Sequence, residues 1–432
     1  MPTRRMVRAM RIVSIILAIL LVPTLAAADV ARDLGLAREM LEDAAIRDDE
    51  EGLRLVRERL LRIAAEAADD RTLRDAHHLI ALSAHFELYT GRRDLSTATR
   101  LVETGIRHAD RAVRLDERFA DGWMLSAMLR GSARNVGLTV PPDPAGSPSR
   151  FARATELDPN SPGVALFSGL LQSFDPAGPA RPQGVKLLEQ LVARLDADRA
   201  ATGRRFGLWD ANAHMFLVMV RRASNDPRSE SLRADTTRLL AQRPDHAQTR
   251  QIAETLTDRR FADANAFANV TWEPALTDPA NDGKDPKLPD VIAVERGATA
   301  DRHWYRVTFR EPLPRAFGVN LAFDRDGDPS TGMRWWGTGS TFRFDRLVTA
   351  WIARDGDRYF GAAGVTSDDA ARFFRLANIS TDIAITMTND DRSVVLGIPR
   401  TALSLMDTST MIAAGGSHLV WNDDATSASN SR

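Results

Sequence analysis

From about residue 33 to residue 262, the apolar residues recur at intervals of three and four. Leu53, Val56, Leu60 and Ile63 form one such stripe. This spacing places apolar side chains on one face of an α-helix, so the pattern predicts a series of amphipathic helices. Stretches rich in glycine, proline, asparagine and aspartate separate them. The first region is therefore predicted to be helical.

From Asn269 onward the period changes to two. Short segments rich in β-branched and aromatic residues predict strands at residues 291–294, 303–309, 317–323, 346–353, 383–387 and 393–398. Asp355-Gly356 and the run from Asn389 to Asp391 have the composition of hairpin turns. Many short strands without intervening helices are typical of a β-sandwich. The predicted fold class is an N-terminal α-helical domain followed by a C-terminal antiparallel β-sandwich.

Two stretches of the helical region share a pattern, residues 109–117 and residues 151–159. The first has Ala109 and Ala112, the second has Phe151 and Ala154, and in each a leucine and an aspartate follow. Both resemble the end of a tetratricopeptide repeat, although Ala112 and Ala154 are 42 residues apart rather than the usual 34. A proline-rich insertion at residues 140–149 accounts for the difference. Stacked helical hairpins commonly present a concave surface, so the resemblance implies a protein or peptide partner for this domain. A helical scaffold without a ligand is the alternative.

A second resemblance covers about 150 residues of the strand-rich region. Its elements are Asp278-Pro279-x2-Asp282-Gly283, Pro289-Asp290, the strand Val319–Phe323 leading into Asp324-x-Asp326-x-Asp328-x2-Thr331-Gly332, and Leu396–Arg400. Their order resembles the family 9 carbohydrate-binding module and the wider group of DOMON-like sandwiches. The resemblance implies a sandwich that binds a carbohydrate or a similar small ligand.

Three aspartates at alternate positions, Asp324, Asp326 and Asp328, follow the strand at residues 317–323. A tight loop can turn such carboxylates toward one point, and Ca²⁺ takes several oxygen ligands at once. The resemblance also suggests calcium here, so these residues are the predicted metal ligands. The alternative is that the loop is turn chemistry alone, in which the side chains cap their own backbone.

Two adjacent tryptophans, Trp335 and Trp336, come after this loop and before a glycine-rich run. Indole faces suit the C–H surfaces of sugars. Successive side chains of a strand point to opposite faces, so one of the pair is predicted to contact ligand and the other to pack. The alternative is that both tryptophans pack in the core.

Haem is an alternative cofactor, because DOMON-like domains include haem binders. A haem-binding domain would act as an electron carrier, and its haem iron needs axial ligands such as histidine or methionine. His303, Met333, Met387 and His418 are candidates, but no motif links any two of them. Haem is therefore not the predicted cofactor.

The N-terminus has the order of a secretory signal peptide. Arg4, Arg5, Arg8 and Arg11 precede an apolar run at residues 12–25, and alanines end the segment at Ala28. The run is shorter than the roughly 20 residues that a membrane-spanning helix needs. We predict cleavage after Ala28, a periplasmic or secreted location, and no integral membrane segment afterwards. An uncleaved N-terminal anchor is the alternative.

The composition excludes several kinds of site and partner. The chain has no cysteine, which excludes disulfides, thiolate metal sites and cysteine nucleophiles. Its formal net charge is −1, and no arginine cluster stands apart from neighbouring acids, so a nucleic-acid partner is not predicted. Nucleotide-binding, zinc-protease and serine-hydrolase motifs are absent from the sequence.

Taken together, the predicted domains are a signal peptide (1–28), a helical domain (29–262), a linker (263–268), a β-sandwich (269–425) and a disordered tail (426–432). The predicted function is that of an exported, non-catalytic binding protein. A scaffold of the cell envelope without a small ligand is the alternative from another class.

Overall fold

A computed structural model of the chain describes residues 29–89, 95–135, 146–173, 181–224, 230–255, 258–281, 289–334, 342–367 and 378–416. Helices occupy the first region and antiparallel strands occupy the second. The predicted fold class is therefore confirmed.

The helices of the first region pack against their neighbours in sequence. They are α1 (29–47), α2 (Glu50–Glu66), α3 (Asp70–Tyr89), α4 (Leu95–Leu115), α5 (Ala120–Asn135), α6 (Gly146–Leu157), α7 (Pro162–Ser173), α8 (Arg181–Thr202), α9 (Leu208–Ser224), α10 (Glu230–Gln242) and α11 (Ala247–Thr255). Over the part of the chain that the structure describes, none of the helices has the length and apolarity needed to cross a membrane.

Helix α2 shows how the local sequence sets these elements. The Asp49 carboxylate accepts a hydrogen bond from the Gly52 N–H (2.9 Å) and caps the N-terminus of the helix. Glu50 and Glu51 lie in the first turn, where negative charge is favourable to the helix dipole. The predicted apolar stripe, which runs from Leu53 to Ile63, is buried.

The two stretches with matching sequences form the same turn. Ala112 in α4 and Ala154 in α6 are fully buried. The carboxylate of Asp116 then accepts a hydrogen bond from the backbone N–H two residues later, and the carboxylate of Asp158 does the same (3.0 and 2.9 Å). The pairs α4–α5 and α6–α7 are therefore locally equivalent, while their assignment to the tetratricopeptide family stays a prediction.

The first helix contacts the last part of the helical region. Asp43 of α1 forms an ion pair with Arg243 (3.2 Å), and Arg47 of α1 pairs with Asp245 (3.1 Å). Leu208, at the start of α9, belongs to the apolar core that α1 forms with α2 and α3. The two ends of the helical region thus meet.

The second region is built from two main sheets and one small ribbon. The six-stranded sheet has the order β1-β9-β8-β5-β13, with β10 also paired to β9, and the five-stranded sheet has the order β11-β12-β4-β3-β2. Strands β6 and β7 pair with each other. The strands are β1 (Asp258–Arg260), β2 (Glu273–Thr277), β3 (Val291–Ala298), β4 (Arg302–Phe309), β5 (Ala316–Asp324), β6 (Met333–Arg334), β7 (Arg343–Phe344), β8 (Arg346–Asp355), β9 (Arg358–Ser367), β10 (Asn378–Ser380), β11 (Ala384–Met387), β12 (Ser393–Pro399) and β13 (Thr410–Gly416).

The core of this domain lies between the two sheets. Alternate residues of β5 and β4 meet there, including Phe317, Leu321, Tyr305 and Phe309. Because the side chains of a strand alternate between faces, the residues between them lie on the outer faces of the sandwich.

The domain boundary differs from the predicted one. Strand β1 (Asp258–Arg260) pairs with β9, and the Ala262 N–H donates to the Ile385 carbonyl oxygen (2.7 Å), so these residues belong to the sandwich. Residues 264–267 form a short 3-10 helix rather than an open linker. Phe267 of this helix packs against Trp304 of the five-stranded sheet, with ring centroids 5.5 Å apart. Burial of these aromatic rings holds the segment on the sheet.

Candidate functional site

The aspartate loop begins where β5 ends. Asp324 is the last residue of that strand, and residues 325–332 lead to β6. Strand β8 brings a further aspartate to the same place, because the Asp345 N–H donates to the Phe323 carbonyl oxygen (2.7 Å). The Arg325 N–H in turn donates to the Asp345 carboxylate (2.6 Å). Asp345 is therefore held beside the start of the loop.

One carboxylate oxygen from each of Asp324, Asp326 and Asp345 lies within 4.8 Å of the other two. We call these three residues the acidic cluster. Asp345 is only 5% exposed, and Asp324 is largely buried as well. Calcium binds carboxylate oxygens at about 2.3–2.6 Å, so oxygens at this spacing are close enough to share one ion. The residues present therefore fit a calcium ion.

The electrostatics of the cluster favour a cation. Burial raises the pKa of Asp324, and the negative charges of Asp345 and Asp326 raise it further. A hydrogen bond from the Gly327 N–H to the Asp324 carboxylate (2.7 Å) opposes this rise in the pKa. Without a cation, the folded protein therefore disfavours ionisation of Asp324.

The neighbouring arginines form hydrogen bonds with groups outside the acidic cluster. Arg343 donates to the Gly332 carbonyl oxygen (2.9 Å), and the Nε of Arg346 donates to the Ala402 carbonyl oxygen (3.2 Å). Among the residues that the structure describes, no arginine side chain forms an ion pair with the acidic cluster. The negative charge of the cluster is thus not balanced by these residues.

Asp328, the third ligand predicted from the sequence, has a different role. Its carboxylate accepts hydrogen bonds from the N–H (2.8 Å) and the hydroxyl (2.6 Å) of Ser330. These bonds lower the pKa of Asp328 and cap the turn. Asp345 stands in its place beside Asp324 and Asp326. No spacing in the sequence indicated Asp345, because it reaches the loop through the pairing of β5 with β8.

The loop is held against residues 406–408. The Thr408 hydroxyl donates to the Asp326 carbonyl oxygen (2.7 Å), and the Met406 N–H donates to the Arg325 carbonyl oxygen (3.2 Å). Gly327 has a φ of 73°, and a Cβ atom there would lie 2.8 Å from the Thr408 carbonyl oxygen. Only glycine fits this close approach, so the backbone positions Asp326 before any ion binds.

Trp335 and Trp336, the predicted ligand contacts, lie outside the described residues, as does His418. Two of the other haem-ligand candidates, His303 and Met387, are not brought together. His303 and Met387 align with Ile398 and Val394 on β12. These positions are four residues apart along the strand, a separation of roughly 13 Å.

No family model matches the chain, and no curated protein matches it either.

Proposed function

We propose that this protein is an exported, non-catalytic binding protein. Its β-sandwich binds a carbohydrate or a similar small ligand, and its acidic cluster (Asp324, Asp326 and Asp345) binds calcium. Its helical domain binds a protein or peptide partner. The unbalanced charge of the acidic cluster carries the proposal.

Elsewhere in the described chain, largely buried carboxylates pair with arginine. Three largely buried carboxylates elsewhere pair with arginine: Asp210 with Arg204 (2.6 Å), Asp110 with Arg130 (2.7 Å) and Asp290 with Arg310 (3.1 Å). Arginine is abundant, since all but three of the 57 basic residues are arginine. Burying a charge without a partner is costly. Three converging carboxylates without an arginine therefore support a cation taken from solution.

The cluster joins parts of the chain that are distant in sequence. Asp324 and Asp326 belong to the end of β5 and its loop, and Asp345 precedes β8. A bound calcium ion supplies positive charge that offsets the repulsion among these carboxylates. The hydrogen bonds of Asp345 and Thr408 described above hold the loop in place. Calcium binding to the folded state then raises the apparent stability of the sandwich by mass action.

An exported location suits such a site. The predicted signal peptide directs the chain out of the cytoplasm. Extracellular modules bind calcium with dissociation constants of about 10⁻⁴–10⁻³ M. A site with three carboxylates on a partly exposed loop is consistent with this weak class.

The test is thermal unfolding of the mature chain, residues 29–432, with excess calcium and with a chelator. We expect calcium to raise the unfolding midpoint of the wild type but not that of Asp345→Asn. Asp328→Asn is the matched control, because its carboxylate lies in the same loop but caps Ser330. The control should respond to calcium like the wild type. Equal midpoints with and without calcium in all three proteins would refute the calcium proposal.

The scaffold function is the second candidate, and the closure of the helical region favours it. Ion pairs from Asp43 and Arg47 join α1 to residues 243–245, so the first and last parts of the helical region are held together. A scaffold predicts no saturable binding of a small ligand by the sandwich. Calorimetric titration with saccharides, with an absorbance scan for a haem band on the same sample, distinguishes these functions.

A further inference from the structure

The exposed face of α4 (Leu95–Leu115) carries a row of arginines. Their positions are separated by seven, four and three residues, a spacing that places side chains on one face of an α-helix. All four arginines are exposed, whereas the opposite face of α4, which includes Val102 and Ala109, is buried in the helical core. At a rise of 1.5 Å per residue, the row is about 21 Å long. We call these residues the arginine row: Arg100, Arg107, Arg111 and Arg114.

Acids that lie near the row in the sequence do not neutralise it in the fold. Asp110, one of the two acids of α4, pairs with arginines of α5 and α6 (2.7 and 2.9 Å). Asp116, which follows the helix, pairs with Arg74 of α3 (2.6 Å). Glu103, the other acid of α4, is exposed and forms no ion pair in the described parts of the chain. The tertiary structure thus separates the arginines from acids that are close in sequence.

No arginine of the row has a carboxylate partner among the described residues. Arg100 and Arg107 donate instead to threonine hydroxyls of their own helix (2.9 and 3.4 Å). Exposed arginines of other helices do pair with acids, for example Arg54 with Glu51 (2.9 Å) and Arg238 with Asp235. Like charges three or four residues apart destabilise a helix. An anionic partner would relieve this repulsion.

The positive charge of the row extends to two histidines on its flank. The Nδ1 atoms of His77 in α3 and His108 in α4 lie 2.8 Å apart. Burial lowers the pKa of His77, and the charges of Arg111 and Arg114 lower it further. Burial, together with the neighbouring His77 and Arg107, lowers the pKa of His108 to about 4. The flank of the row therefore supplies no negative charge.

The shape and surroundings of the row define the partner. Arginine binds carboxylates through its planar guanidinium group. The row is one side chain wide, and its length matches about six residues of an extended chain. The large exposed apolar side chains of the described chain lie outside α3, α4 and α5, so none beside the row is suited to insertion into a bilayer. These features favour a linear acidic chain over a membrane surface.

We propose that the arginine row binds an acidic segment of a partner protein. Carboxylates of this segment pair with the exposed guanidinium groups and offset the repulsion between Arg107 and Arg111. This inference rests on the proposed function, because it specifies the kind of protein partner that the helical domain takes. It also places that partner on one exposed helix face, whereas the resemblance to helical repeats implied a concave surface.

The test is the fluorescence anisotropy of a labelled octaglutamate peptide titrated with the mature full chain. We expect binding at low salt that weakens as salt is added, because ions screen exposed charges. The double variant Arg107→Gln/Arg111→Gln should weaken binding at least about fivefold, since two exposed ion pairs are lost. Glu103→Gln should tighten binding, because it removes a repelling charge beside the row.

The matched control is Arg54→Gln/Arg238→Gln, which removes the same charge from exposed arginines that pair with acids. It should bind octaglutamate like the wild type. The unfolding midpoints of both double variants should stay close to that of the wild type, because exposed side chains contribute little to stability. Equal weakening in the two double variants would mean that net charge alone attracts the peptide. That result, or absence of binding by the wild type at low salt, would overturn the inference.

Two further probes test the class of partner. Vesicles that contain phosphatidylglycerol and an octagalacturonate are titrated with the same samples. Tighter binding of either probe than of octaglutamate would overturn the assignment to a protein. The calcium shift of the unfolding midpoint is also measured. A calcium shift without octaglutamate binding would reject the arginine row but keep the calcium site, and octaglutamate binding without a calcium shift would do the reverse.

Discussion

The two outer faces of the sandwich differ in the hydrogen bonds that their polar side chains form. On the five-stranded sheet, Trp304 is buried against Phe267 and Val270, and its indole N–H donates to the Thr299 hydroxyl (3.2 Å). Thr308 pairs with Ser393 on the same face. On the six-stranded sheet, the buried Asn320 has an amide oxygen without a partner among the described residues.

The difference concerns how each face is covered. The segment from Phe267 to Trp272 packs on the five-stranded sheet, and Arg306 pairs with Glu295 (2.9 Å) while lying over the Trp272 ring (4.2 Å). On that face the Trp304 indole, the Thr308 hydroxyl and the Arg306 Nη1 have hydrogen-bond partners within the chain, while the Arg306 Nε is buried without one. Among the described residues, the six-stranded sheet and the loop beside it have one buried amide oxygen without a hydrogen-bond partner and three carboxylates without an arginine partner.

The largest expected effect contrasts the two tryptophans of these faces. Trp304→Ala should lower the free energy of unfolding by about 3–5 kcal/mol, because a fully buried indole leaves a cavity. Trp351→Ala should cost less than half as much, since Trp351 is only half-buried. Urea unfolding of the mature chain measures both values. A larger loss for Trp351 would mean that the six-stranded face is the more important one for stability.

The acidic cluster gives the second effect, and its sign depends on calcium. In chelator at neutral pH, Asp324→Asn should raise the free energy of unfolding by on the order of 1 kcal/mol, because it removes like-charge repulsion. In excess calcium the same variant should lose the stabilisation that the ion provides. Thermal unfolding in both solutions measures the two shifts. A loss of stability in chelator would show that the Asp324 charge is already balanced in the protein.

The pH dependence of this effect follows from the raised pKa of Asp324. The protonated carboxyl is favoured in the folded state, so ionisation destabilises the calcium-free protein as the pH rises through the raised pKa. Below the usual pKa of about 4, the carboxyl is protonated in both the folded and unfolded states. The advantage of Asp324→Asn in chelator should therefore disappear at acidic pH. An advantage independent of pH would exclude the carboxylate as its cause.

A smaller effect concerns the hydroxyl pair of the five-stranded face. Thr308→Val should lower the free energy of unfolding by about 1 kcal/mol, because it removes the hydrogen bond to Ser393. Urea unfolding of Thr308→Val, Ser393→Ala and the double variant measures the coupling between them. Additive losses would mean that the two hydroxyls do not stabilise each other.

The smallest effect is expected at Asn320. Because its amide oxygen has no partner to lose, Asn320→Ala should change the free energy of unfolding by less than about 0.5 kcal/mol, or raise it. Urea unfolding without saccharide is the measurement. A loss as large as that of Thr308→Val would indicate an internal hydrogen bond, and the contrast between the two faces would then fail.

The sequence by itself determined the two classes of structure. Amphipathic periodicity predicted helices such as α2, and alternation predicted β4 and β5, because each pattern reports the local geometry of the backbone. The turn at Asp355-Gly356 was predicted in the same way and joins β8 to β9. The alternation of Phe317, Val319 and Leu321 also indicated one buried face of β5.

Strands β9 and β13 were missed. Their sequences are rich in glycine and alanine, which have little strand preference of their own. They form strands because neighbouring strands supply hydrogen-bond partners, which a local pattern does not contain.

The tertiary structure alone decided the composition of the acidic cluster. The sequence indicated Asp324 and Asp326 through their spacing, but it indicated Asp328 in the same way. Asp345 joins them because β5 pairs with β8, in a register that places Phe323 opposite Arg346. Local periodicity reports which face a residue occupies, whereas contacts between distant segments depend on strand order and register. Those contacts decide which carboxylates converge and which amide remains unpaired.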